Sequence, residues 1–189
     1  MLASPAPRSR RWSALADLVN RAFLHDEWLV LFVVLVGSQA AHCLEHVAQM
    51  VQIHLLGLSG ANARGVVGNL DIEWVHFVWN TWVIVAVVLL LIHFRTNPWL
   101  WATAVLAGWH EVEHAYILSV YVTTGVAGTP GLLSAGGLLG GGLPIGRPDL
   151  HFLYNLLETM PLVMAFTWQR RNYRSTIRGE DLPAIRILH

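Results

Sequence analysis

A chain of 189 residues with zero formal net charge is long enough for one modest domain and lacks the basic face that a nucleic-acid partner requires. Hydrophobic residues make up 54% and charged residues only 13%, with a mean hydropathy of +0.49, which excludes an ordinary soluble composition and points to an integral membrane protein. The lone cysteine, Cys43, rules out an internal disulfide and any paired-cysteine metal motif.

Residues 1–27 form an N-terminal tail and a candidate interfacial helix. Within 11–24, Trp12, Leu15, Leu18, Val19, Ala22 and Phe23 recur at helical spacing among Arg11, Asp17 and Arg21, the pattern of an amphipathic helix lying in a membrane surface. Four apolar runs follow, at 28–50, 74–94, 99–122 and 150–168. Each meets or approaches the roughly 20 residues that carry a helix across a ~30 Å hydrocarbon layer. Residues 28–97 hold the first two, 98–172 the second two, and 173–189 form a polar tail. The fold class expected is therefore an all-α integral membrane protein, a bundle of four transmembrane helices.

Orientation follows the arginines. Arg8, Arg10, Arg11 and Arg21 precede the first run, Arg95 sits in the short turn between the second and third, and Arg170, Arg171, Arg174, Arg178 and Arg186 follow the fourth. Only Arg64 and Arg147 fall in the other two connections. Both termini are expected in the cytoplasm, with the connections 51–73 and 121–149 outside. All twelve basic residues are arginine, a coding bias that points to a bacterial source and so to the bacterial cytoplasmic membrane.

A composite motif occurs twice. His42-Cys43-Leu44-Glu45-His46 is followed by His76-Phe77-Val78-Trp79-Asn80, and His110-Glu111-Val112-Glu113-His114 by His151-Phe152-Leu153-Tyr154-Asn155. Each half reads H-x-x-E-H, then a glycine-containing gap, then H-F-x-aromatic-N. Each copy covers one up-down helix pair starting from the cytoplasm, so two parallel repeats related by an axis along the membrane normal are expected. On a helix, residues i, i+3 and i+4 share a face, which puts His42, Glu45 and His46 on one stripe, with Gln49, and His110, Glu113 and His114 on its counterpart, with Ile117. At 1.5 Å per residue His42 lies about 20 Å, and His110 about 17 Å, from the cytoplasmic end of its helix, while His76 and His151 begin their helices at the outer end. All the motifs converge in the outer half of the bundle.

Ionisable groups at that depth are costly and mark function. The expected site is a pair of transition-metal ions bound by His42, Glu45, His46, His76, His110, Glu113, His114 and His151, with iron or copper favoured over zinc. Glu45, Glu113 and Glu158 are the candidate catalytic carboxylates. Asn80 and Asn155 suit hydrogen bonds that orient imidazoles. His25, His54, His93 and His189 fall outside the repeat and are assigned no role. Paired i, i+4 histidines with a glutamate between suit haem poorly, so haem is not expected.

H-x-x-E-H resembles the inverzincin protease motif. Its duplication inside apolar segments is foreign to that family, and no roles are carried over. The H-x-x-H-H boxes of membrane di-iron hydroxylases are missing. The Glu-x-x-His of ferritin-like bundles occurs once, as Glu73 to His76, with Pro148 in the second copy. The function expected is a membrane metal-dependent oxidoreductase or oxygenase acting in the bilayer on a small oxidant or a lipophilic small molecule. The alternatives are an intramembrane zinc hydrolase, a metal-binding subunit or carrier working with other membrane subunits, and a b-type cytochrome.

Overall fold

A computed structural model describes residues 27–59, 62–67 and 72–178. The expected interfacial helix, His25 and His189 lie outside them. The described residues form four long helices: α1 (Glu27–Met50), α2 (Ile72–His93), α3 (Pro98–Thr124) and α4 (Arg147–Arg178). A π-helical turn, Val51–Leu55, continues α1. Two of the four, α1 with its π turn and α2, are long and apolar enough to cross a membrane.

The helix boundaries have local causes. Asn97 caps α3, its Oδ1 accepting from the amides of Trp99 and Leu100, and Pro98 occupies the first helical position, where its missing N–H costs nothing. Gly125 ends α3 in the left-handed conformation, φ 71°, and donates its N–H to the Tyr121 carbonyl. The largest departure from the sequence expectation is α4, which runs about ten residues past the apolar stretch through Arg170, Arg171 and Arg174. Hydrophobicity marks what lipid can cover; arginine is a good helix former, so the helix outlasts it.

Each helix packs on two neighbours in the cyclic order α1–α2–α3–α4, leaving α1 opposite α3 and α2 opposite α4. Neighbours run antiparallel. Trp28 at the start of α1 stacks on His93 at the end of α2 (ring centroids 4.7 Å), while further along the same pair His42 meets His76. The end holding the start of α1 and the end of α2 is a continuous apolar core, including Phe32, Leu35, Val87, Leu90, Leu100 and Leu162. Toward the other end, where the two long connections lie, the interior turns polar. Gln39, Gln49, Asn80, Asn155, Glu158 and six histidines are buried there. The outer surface is the reverse, with Val33, Val34, Val78, Val85, Ile92, Val105, Val112 and Met160 exposed. At this end, a polar interior beneath an apolar outer surface inverts the soluble pattern.

Candidate metal centre

Helical periodicity delivers the six histidines. His42 and His46, four apart on α1, point the same way, as do His110 and His114 on α3. His76 and His151 enter from the first turns of α2 and α4. All six are buried. They form two triads, His42–His46–His76 and His110–His114–His151, in each of which one nitrogen per ring lies within 4.8 Å of the others. The Nε2 atoms of His42 and His46 are 3.0 Å apart, and those of His110 and His114 are 3.1 Å apart. The triads touch each other: His76 stacks on His114 (5.6 Å, 8° between planes), and His46 on His151 (6.5 Å, 26°). These cross-contacts pair equivalent motif positions, so the two halves match in space as they do in sequence.

The outward nitrogens of three rings face oxygen atoms. His46 Nδ1 lies 2.9 Å from Gln49 Oε1, His151 Nδ1 lies 2.9 Å from the Arg147 carbonyl, and His110 Nδ1 lies 3.1 Å from Glu158 Oε2. The Arg147 carbonyl can only accept, and the Gln49 and Glu158 oxygens are placed to do the same. Each Nδ1 then carries the proton, and each Nε2 presents a lone pair to the interior. His151 Nε2 is buried with no protein partner. Leaving such an atom unpaired costs about 1–3 kcal/mol. A cation satisfies it. With metal–nitrogen bonds of about 2.0–2.1 Å, cis ligands sit roughly 2.9–3.4 Å apart, which the two Nε2–Nε2 separations match. Oxygen acceptors behind the ligating imidazoles are what metal-binding histidines usually have. The donor set therefore fits a metal ion on each triad.

The carboxylates behave differently from the sequence expectation. Glu45 turns to the first long connection, where both its oxygens lie 2.9 Å from the amide of Val66. Glu113 does the same in the second connection, Oε1 accepting from Leu132 N at 2.8 Å. A glycine allows each approach. A Cβ on Gly65 would stand 1.9 Å from Glu45 Oε1, and one on Gly131 would stand 2.1 Å from Glu113 Oε1; both glycines have positive φ (69° and 83°). Neither glutamate belongs to a triad. They clamp the loops. Glu158 sits on His110, both side chains 1% exposed. Asn80 and Asn155 donate to the backbone carbonyls of His76 and His151, not to imidazoles, and Asn155 Oδ1 accepts from Gln39 on α1.

Several neighbours complete the surroundings of the triads. Gln49, noted only as part of a stripe, orients His46. Gln39 was passed over; a glutamine three residues before His42 on the buried face was its signal. Glu73 pairs with Arg147 at the loop end of the bundle. Trp79 packs on His42 (5.2 Å) and its counterpart Tyr154 on His110 (5.3 Å), with Trp109 Nε1 donating to the Tyr154 hydroxyl. His54 pairs with Asp149 at 2.6 Å, away from the triads. Comparison of the chain with protein-family models, curated proteins and solved structures yields no match.

Proposed function

We propose that this chain is an integral membrane metalloprotein whose four helices all span the bilayer, and that it holds two transition-metal ions, one per histidine triad, and acts as an oxidoreductase. The observation that carries the reading is the pair of adjacent, buried three-imidazole sets, each with one nitrogen per ring within 4.8 Å of the others. The apolar outer surface supports the membrane setting, and a substrate reaching the site through it is a lipophilic small molecule. The arginine distribution supports cytoplasmic termini in a bacterial inner membrane, with the triads in the outer half. The matched motifs support descent from a duplicated helix pair.

Imidazole suits copper, iron, zinc and nickel, and with no carboxylate in either triad the divalent affinity order puts copper first. When bound, such a pair supplies one-electron redox chemistry at two adjacent centres. The protein's own share is positional. Gln49, Glu158 and the Arg147 carbonyl hold three rings in register, Trp79 packs on His42 and Tyr154 on His110, and the apolar core keeps water from one side. A zinc hydrolase that works through a carboxylate base, as the H-x-x-E-H pattern suggests, is less well supported. Glu45 and Glu113 are engaged by loop amides, and Glu158 by His110.

The test is elemental analysis with optical and electron paramagnetic resonance spectra on detergent-purified protein. Two copper ions per chain, reversibly reduced by dithionite, is the expected result. Stoichiometric zinc with a silent spectrum would overturn the redox reading, and full metal with no turnover on any lipophilic donor would leave a metal-binding subunit.

A further inference from the structure

We infer that the two metal positions are unequal and that Glu158 makes them so; this rests on the metal reading above. The triads match in ring placement and differ in what stands behind the rings. In the first triad the oriented ring is His46, backed by the neutral amide oxygen of Gln49 at 2.9 Å. Ile117 occupies the place of Gln49 in the second copy, and the Nδ1 of His114 is buried without a partner. In the second triad the oriented rings are His151, on a backbone carbonyl, and His110, backed by the carboxylate of Glu158 at 3.1 Å. Val83 stands where a first-copy counterpart of Glu158 would be. A carboxylate accepting Nδ1–H increases the electron density on the imidazole and strengthens it as a ligand, more than a neutral amide does. In a buried setting its charge also acts on a nearby cation with little screening.

The unmet acceptors point the same way. Glu158 Oε1 and His151 Nε2 are buried without partners, both on the second helix pair; among the described residues the first pair contributes only Gln39 Oε1 and the donor Trp79 Nε1. The second triad is therefore the tighter position. It fills first and favours the more highly charged ion, while the first triad fills second and exchanges. Glu158 is a positioning residue that acts through His110.

Metal-free full-length protein in detergent, titrated with copper(II) alone, tests this. Wild type should bind in two steps at least tenfold apart, with His114→Ala removing the tight step and His46→Ala the weak one. Glu158→Gln should weaken the tight step by about 10–100-fold, as loss of a group behind a ligand does, and shift the spectrum of the first-bound copper. Gln49→Glu should narrow the gap from the other side by strengthening the weak step, and it carries the test alone should Glu158→Gln not fold. Two equal steps in wild type, a tight step that survives His114→Ala, or a gap that neither Glu158→Gln nor Gln49→Glu changes would overturn the proposal with the metal reading intact. No copper binding in wild type would overturn both.

Discussion

The carboxylate of Glu73 meets the guanidinium of Arg147 through two bonds, 2.9 and 2.5 Å long, and joins α2 to α4, helices that face each other across the bundle without packing. Glu73 lies three residues before His76, and Arg147 supplies the carbonyl that orients His151. Glu73 also accepts from Gly128 N, and Arg147 donates to the Thr129 carbonyl, so the second long connection is held at the same point.

Arg147→Ala leaves the Glu73 carboxylate, 1% exposed, without its charged partner. Removing one member of a buried pair destabilises by about 3–5 kcal/mol. We expect a clear fall in melting temperature in detergent and lower metal content. The double variant Glu73→Gln with Arg147→Ala should recover part of the loss, since it removes the stranded charge. Equal melting temperatures for wild type and Arg147→Ala would show that the pair contributes nothing.

Gly131→Ala and Gly65→Ala should each destabilise by more than about 1 kcal/mol, because the new methyl collides with a clamping carboxylate and sits at positive φ. Gly140→Ala is the control. It shares the positive φ (64°) but has nothing within 4 Å of the added carbon. Thermal melts should therefore rank Gly140→Ala closest to wild type.

Glu45→Gln and Glu113→Gln should retain both metal ions, because glutamine still accepts from the loop amides and neither carboxylate belongs to a triad. His46→Ala and His114→Ala should each lose one of the two. Elemental analysis of the four purified variants separates ligands from clamps, and loss of metal in either glutamine variant would return the glutamates to the site.

A cysteine placed at Arg64 or within 136–142, in a Cys43→Ser background, should react with an impermeant reagent on intact cells. Labelling only after lysis would invert the topology and put the triads in the cytoplasmic half.

The helices and the six histidines were legible because both are written in periodicity: apolar runs of the right length, and imidazoles four apart. The turn of Glu45 toward the loop is also a matter of periodicity. At about 100° per residue, His42 and His46 bracket a midline from which Glu45 lies roughly 80° away and Gln49 only about 40°. The i+7 amide thus faces the site more squarely than the i+3 carboxylate, and the same holds for Ile117 against Glu113. Whether an off-axis glutamate turns inward or up to a loop depends on where that loop runs. Positive-φ glycines at 65 and 131 set that course, and no hydrophobic period records them. Glu158, seven residues past His151, was visible as an asymmetry; its contact with His110 needed the packing of α3 on α4.

The apolar layer around Phe32, Leu35, Leu90, Leu100 and Leu162 has a directional effect. It gives the bundle the form of a cup, sealed at the base and closed at the rim by clamped loops and the Glu73–Arg147 ion pair. Any exchange of protons or small polar solutes with the imidazoles is therefore expected across the rim and not through the base. If the proposed redox chemistry operates in a bilayer, its proton balance is expected on that side alone.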